Sequence, residues 1–197
     1  MKICAVIVAG GRSARMGREK ALEAVRGKRI IDRIVFSLQG QVAAVAINAN
    51  ADLSRFAYLD LPLISDLHVG SGTPLAGLHA ALAFADTQGF DAVLTAPSDV
   101  PFLPADLARR LMVAGQKAAI ASSGGQAHYL TGLWQRELRS EAEHALNAAT
   151  VPRMQDWAWR REAVVVEWSA TPYDPFFNVN TPQELAAAER IAAEFGL

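Results

Sequence analysis

The sequence predicts a three-layer α/β fold with a mostly parallel sheet, and three observations predict it. Ile3 to Val8 is an unbroken, β-branched-rich run closed by glycines, the pattern of a strand buried on both faces. A second such run, Val42 to Ile47, follows a helical segment, which makes a βαβ unit. Beyond it, short apolar runs keep alternating with helical periodicity, the order that places helices on both faces of a sheet.

In chain order, the helix of the first unit spans about Ile30 to Leu38, because Ile30, Ile31, Ile34, Val35 and Leu38 recur on one face. Leu61-Pro62-Leu63-Ile64 reads as a short strand. Leu75, Leu78, Leu82 and Ala85 then recur at helical spacing, in a helix that Thr73 can cap and whose first position suits Pro74. Ala92 to Ala96 is the next buried strand, and Pro104 is expected to open a helix with Leu107 and Leu111 inward. Strands over Ala118–Ala121 and Tyr129–Trp134, a helix over Glu137–Ala149 and a strand over Ala163–Val166 complete the sheet. Thr181-Pro182-Gln183-Glu184 is a capping box that starts the last helix. Val151 to Arg161 carries no assignable pattern. With 197 residues and neither repeats nor a Pro/Gly-rich linker, the expectation is one domain over residues 1–197.

Half the residues are apolar and the net charge is −1, so there is no global basic field of the kind non-specific nucleic-acid binding needs. Any anion has to be held by a local site. The single cysteine, Cys4, lies inside the first strand, which leaves no disulfide framework and no cysteine-rich metal site. Met1 to Val8 runs straight into Ala9-Gly10-Gly11-Arg12 without a cleavage pattern, and no apolar run reaches the roughly 18 residues of a membrane span. A cytoplasmic protein, binding neither membrane nor nucleic acid, is expected.

In such folds ligands collect beyond the carboxyl ends of the strands. After the first strand, Gly10 and Gly11 let backbone N–H groups approach phosphate oxygens, and Arg12, Arg15, Arg18 and Lys20 add positive charge. This is a candidate triphosphate cradle, although it is neither a Walker loop nor a dinucleotide fingerprint. Asp99, between Pro97 and Pro101 just past a buried strand, is placed to ligate Mg²⁺ that bridges phosphates; alone it would read as an Asx turn or cap. Asp66 follows the short strand, and Gly70, Gly72 and Gly77 mark a bend and a close backbone approach that is either structural or anion-binding. Asn178 and Asn180 would face the same way in an extended segment. His68, His79, His128 and His144 have no HxH or HExxH spacing; they read as surface or helix residues and argue against a zinc site.

Taken in order, Val8-Ala9-Gly10-Gly11, Arg15-Met16-Gly17 with Lys20, Asp66, Pro74-Leu75-Ala76-Gly77, Pro97-Ser98-Asp99-Val100-Pro101 and Asn178-Val179-Asn180-Thr181-Pro182 resemble the molybdenum cofactor guanylyltransferase family, the MobA-like proteins. The resemblance runs from residue 3 to about residue 190. It implies a Rossmann-like nucleotidyltransferase fold in which Val8, Ala9, Gly10 and Gly11 hold a guanine nucleotide, with Arg15 and Lys20 on its phosphates. Asn48, Asp66 and Gly77 would lie at the nucleoside, Asp99 would carry Mg²⁺, and Asn178 and Asn180 would lie on the molybdopterin side. The implied reaction is attack of the molybdopterin terminal phosphate on the α-phosphorus of GTP, with cofactor-biosynthesis proteins and acceptor molybdoenzymes as candidate partners. Such a transfer needs positioning and charge neutralisation rather than a protein nucleophile.

This chain departs from the family pattern at Val8, Ser98 and Val100, and at Thr73, where the family usually has Gly before Pro74. Thr73 is expected to change the path of the loop from Asp66. Two rivals stay open. One is transfer of another nucleotide, chiefly by a molybdopterin cytidylyltransferase or more distantly a sugar-phosphate enzyme; by the resemblance, Gly10-Gly11 favours a purine. The other is a non-catalytic nucleotide-binding protein, against which the joint presence of Arg15, Lys20 and Asp99 argues.

Overall fold

The computed structural model describes residues 1–9, 20–68, 72–115 and 117–197. Its main sheet has seven strands: β1 (Ile3–Val8), β4 (Ala44–Asn48), β5 (Leu63–Ile64), β6 (Ala92–Pro97), β7 (Ala118–Ser123), β8 (Gln126–Gln135) and β9 (Val164–Trp168), in the spatial order β5-β4-β1-β6-β8-β7-β9. Only β8 runs against its neighbours, so the sheet is mostly parallel, as expected. A separate hairpin pairs β2 (Ala24–Val25) with β3 (Lys28–Arg29).

The two-residue period of β1 sorts its side chains between two cores. Ile3, Ala5 and Ile7 pack with α1 (Ile30–Gln39), α3 (Leu107–Ala114) and α6 (Pro182–Phe195). Cys4 and Val6 face α2 (Pro74–Thr87), α4 (Arg139–Leu146) and α5 (Met154–Trp159) on the other side. The result is the predicted α/β/α sandwich. Burial pushes the Cys4 thiol up to about 12, so it is an inert core group.

Several expectations shift for identifiable reasons. β4 starts at Ala44 and not at Val42, because Val42 donates to the carbonyl of Leu38 and is consumed by the turn that ends α1 (3.2 Å). α3 starts at Leu107 and not at Pro104, with Leu107 and Leu111 buried as expected. Gln41 supplies its cap from a distant element: its Oε1 accepts the Ala108 N–H (2.9 Å) while its Nε2 donates to the Pro104 carbonyl (3.0 Å). The helix expected over Glu137–Ala149 is a 3-10 turn, Arg136–Leu138, followed by α4. The stretch without a pattern contains α5. The hairpin β2–β3 and the 3-10 segment Leu53–Leu59 were not expected.

The two predicted caps fare differently. Thr181 Oγ1 accepts the Glu184 N–H (3.2 Å), and the Glu184 carboxylate reaches one residue further back than a standard box, to the Asn180 N–H (2.7 Å). Thr73 stands at the N-cap of α2 but makes no capping bond with its side chain; its buried hydroxyl has no partner among the described residues.

Candidate functional site

Strand register sets the site. Val8 pairs with Asn48 on one side and with Pro97 on the other, and Asn48 pairs with Ile64. Four parallel strands therefore end at one level, and the residues just past them emerge together. Asp66 is two residues beyond Ile64, and Asp99 two beyond Pro97. The Ala9 N–H donates to the Asn48 carbonyl (2.8 Å), which fixes how the chain leaves β1 toward the glycine-rich loop.

On the β4–β5 side both oxygens of the Asp66 carboxylate are satisfied by amides, while the buried Asn48 Oδ1 has no hydrogen-bond partner among the described residues. Asn48 Nδ2 donates to Asp66 Oδ1 (3.0 Å), and Asn50 Nδ2 donates to Asp66 Oδ2 (2.7 Å). Asn50 Oδ1 in turn accepts the Asp66 N–H (2.8 Å). The carboxylate is thus held in one orientation from both sides. Sequence reasoning picked out Asn48 and Asp66 and missed Asn50. The signal was present, since Asn48-Ala49-Asn50 repeats at the end of β4 the i, i+2 spacing read at Asn178 and Asn180.

Gly77 belongs to this side through contact. A Cβ there would lie 2.7 Å from Val8 Cγ1 and 3.2 Å from Asn48 Oδ1. The first turn of α2 can press on the ends of β1 and β4 only because residue 77 has no side chain.

On the β6 side the geometry is open. One carboxylate oxygen of Asp99 is buried and has no hydrogen-bond partner among the described residues. Burial raises the Asp99 pKa above its usual 3.8, while the Lys20 ammonium lowers it and Glu184 adds a like-charge push upward. The Asp99 carbonyl accepts the Val179 N–H (2.9 Å), which ties this turn to the segment carrying both asparagines. Lys20 Nζ donates to Asn180 Oδ1 (2.8 Å). Lys20, Glu23, Asn180, Thr181 and Pro182 line a cavity of about 330 Å³, within the range of small-molecule sites. Asn178 is exposed, Val179 buried and Asn180 half-buried, so the two asparagines share a side while Val179 anchors the strap.

Val8, Ala9, Lys20, Asn48, Asp66, Gly77, Asp99, Asn178 and Asn180 thus gather at one edge of the sheet. Gly10, Gly11, Arg12, Arg15 and Arg18 lie outside the described residues, as does Gly70. The same edge continues beyond β6 in a cluster that sequence reasoning also missed. Ser123 Oγ donates to Asp174 Oδ1 (2.7 Å) and sits 2.8 Å from His128 Nε2. His128 is therefore a half-buried strand residue, and His79 is fully buried within α2. His128 departs from the reading as a surface or helix residue, whereas His79 is a helix residue, as that reading allows.

Comparison with known proteins decides the family. Residues 5–166 match the MobA-like NTP transferase domain. The chain belongs to the MobA-like NTP transferase family. Two curated relatives are each named molybdenum cofactor guanylyltransferase. The Rhodopseudomonas palustris BisB5 protein is 41% identical, with 95% of this chain and 93% of that protein covered. The Rhodobacter capsulatus protein is 42% identical, with 96% of both covered. Among solved structures, molybdopterin-guanine dinucleotide biosynthesis protein A from Archaeoglobus fulgidus superposes with a TM-score of 0.73 at 25% identity, covering 98% of this chain and all of that one. A nucleotidyl transferase from Methanothermobacter shares the fold at TM-score 0.75 and 15% identity, covering 98% and 99% of the two chains. Membership in the MobA-like family makes this chain an NTP transferase.

The donor set suits a hard divalent cation. A buried carboxylate oxygen with no hydrogen-bond donor among the described residues is suited to a positive partner, and oxygen donors are what Mg²⁺ selects.

Proposed function

We propose that this chain transfers GMP from GTP to the terminal phosphate of molybdopterin, working as one nucleotidyltransferase domain in the cytoplasm. The bond from the GTP α-phosphorus to the bridging oxygen breaks, a bond to a molybdopterin phosphate oxygen forms, and pyrophosphate leaves. The observation that carries the reading is the buried oxygen of Asp99, which has no hydrogen-bond partner among the described residues and feels the charge of Lys20. It is what a phosphoryl site needs and a plain binding site does not, so it disfavours the non-catalytic alternative. The choice of guanine over cytosine rests on the names of the curated relatives.

In this reading Asp99 holds Mg²⁺, which when bound neutralises charge on the phosphates. Lys20 adds a second positive charge, oriented by Asn180. Arg15 and the glycine loop from Val8 to Gly11 cradle the triphosphate. The Asn48–Asn50–Asp66 network supports the nucleoside, with Asp66 as a fixed acceptor for the base or ribose. Asn178 and Asn180 face the acceptor, and no protein nucleophile takes part.

The test is a single-product assay. Purified protein with molybdopterin and Mg²⁺ is offered GTP, CTP, ATP or UTP, and the dinucleotide is identified by mass spectrometry. The guanine dinucleotide is the expected product. Preferential formation of the cytosine form would overturn the guanylyl assignment, and no product with any nucleotide would overturn transfer itself.

A further inference from the structure

A second group of side chains lies away from the phosphate site, between the β5–α2 connection and the helix layer. His68 follows β5, His79 sits in the second turn of α2, and Glu143 projects from α4, which packs against α2. One ligand atom from each lies within 4.8 Å of the other two. We propose that His68, His79 and Glu143 bind a borderline transition-metal dication of the Zn²⁺ class, a site distinct from the magnesium site at Asp99.

The argument starts from His79. It is 1% exposed, and neither ring nitrogen has a hydrogen-bond partner among the described residues. Buried imidazoles normally satisfy at least one nitrogen, because leaving polar atoms dry costs free energy. Beside it lies another imidazole, His68, with ring centroids 5.0 Å apart and planes at 67°. Burial, with the His68 ring beside it, lowers the His79 pKa and keeps its lone pair free. Two imidazoles and a carboxylate are a donor set that selects zinc-like ions over Mg²⁺. With bonds near 2.0–2.1 Å, ligand atoms in a tetrahedral site stand about 3.3 Å apart. The remaining closure falls to His68, half-buried on a connection, and Glu143, exposed on a helix surface; both have freedom to turn.

The site bears on the phosphate end through the chain. His68 is two residues from Asp66, whose carboxylate is fixed by Asn48 and Asn50. A metal here would clamp the connection leading into α2 onto α4. The sequence hid the cluster because its ligands are 11 and 64 residues apart and fit no local zinc spacing.

The test uses the whole chain and the metal alone. Co²⁺ titration is expected to give a visible ligand-field band of tetrahedral intensity at one ion per chain, displaced by stoichiometric Zn²⁺ and untouched by millimolar Mg²⁺. His68→Ala and Glu143→Gln, both outside the core, should each weaken the Co²⁺ affinity at least tenfold while the far-ultraviolet spectrum stays unchanged. His144→Ala, on the same helix and outside the cluster, should leave it unchanged. No band in the native chain, a band that survives His68→Ala combined with Glu143→Gln, or equal loss with His144→Ala would each overturn the proposal.

Discussion

The two carboxylates of the phosphate-site edge are held in opposite ways. Around Asp66, each carboxylate oxygen has an amide donor and Gly77 lets α2 close over the network. Around Asp99, an oxygen is buried with no donor among the described residues, and Lys20, whose charge acts on that carboxylate, is engaged by Asn180. The Asp66 carboxylate has its donors without a ligand, and the buried oxygen of Asp99 has none among the described residues. A carboxylate gripped from both sides by amides keeps one orientation, so it can present a fixed acceptor. An unsatisfied carboxylate costs stability until a cation arrives, which couples folding energy to metal binding.

Removing the deficit gives the largest effect. Asp99→Asn is expected to lower Mg²⁺-dependent transfer by about 10²–10³-fold, as measured by pyrophosphate release. Without metal, the same substitution should not destabilise the protein. The native pKa of Asp99 lies above its unfolded 3.8, so between those values the native state binds more protons and stability falls as pH rises. The native and Asp99→Asn proteins should therefore melt alike below that window. The variant should gain relative to the native protein above it. A melting difference independent of pH would mean Asp99 carries no burial penalty.

The satisfied half breaks by sterics before it breaks by charge. Gly77→Ala gains about 1 kcal/mol of helix propensity. Against that, its new methyl would meet Val8 at 2.7 Å, a stiff β-branched side chain at the end of β1. Overpacking of this kind costs about 1–3 kcal/mol, so we expect a net loss and a melting temperature lower by a few degrees in calorimetry. Unchanged melting would mean that α2 can retreat from β1 freely.

The smallest effect is expected at Asn50. Asn50→Ala removes one amide donor and one acceptor from Asp66 at a partly solvated position, worth about 1 kcal/mol. GTP affinity should fall about fivefold in isothermal titration, with kcat nearly unchanged. An equal drop in kcat would place Asp66 in the chemistry and blur the distinction between the halves.

How much of this was legible follows the range of the physics involved. β1, α1, β6 and the capped start of α6 are local patterns of burial and capping, and the sequence carries them within a few residues. The start of α3 was missed because Gln41, over sixty residues away, caps it. Candidate site residues at strand ends were readable as a class, since parallel strands deliver their successors to one edge. Their pairing was not, since nothing local says that Asn50 completes Asp66 or that Lys20 meets Asn180. The histidines show the same limit, because helical burial of His79 and its approach to His68 arise only when β5 and α2 are assembled.

The claim at the centre is that the deficit at Asp99 is a metal site and the satisfied carboxylate at Asp66 is not. Electron paramagnetic resonance of Mn²⁺ added with GTP, in the native chain and in Asp99→Asn and Asp66→Asn, tests this directly. The prediction is a GTP-dependent bound Mn²⁺ signal in the native chain that persists in Asp66→Asn and is weakened at least tenfold in Asp99→Asn. A signal retained in Asp99→Asn and lost in Asp66→Asn would contradict the account.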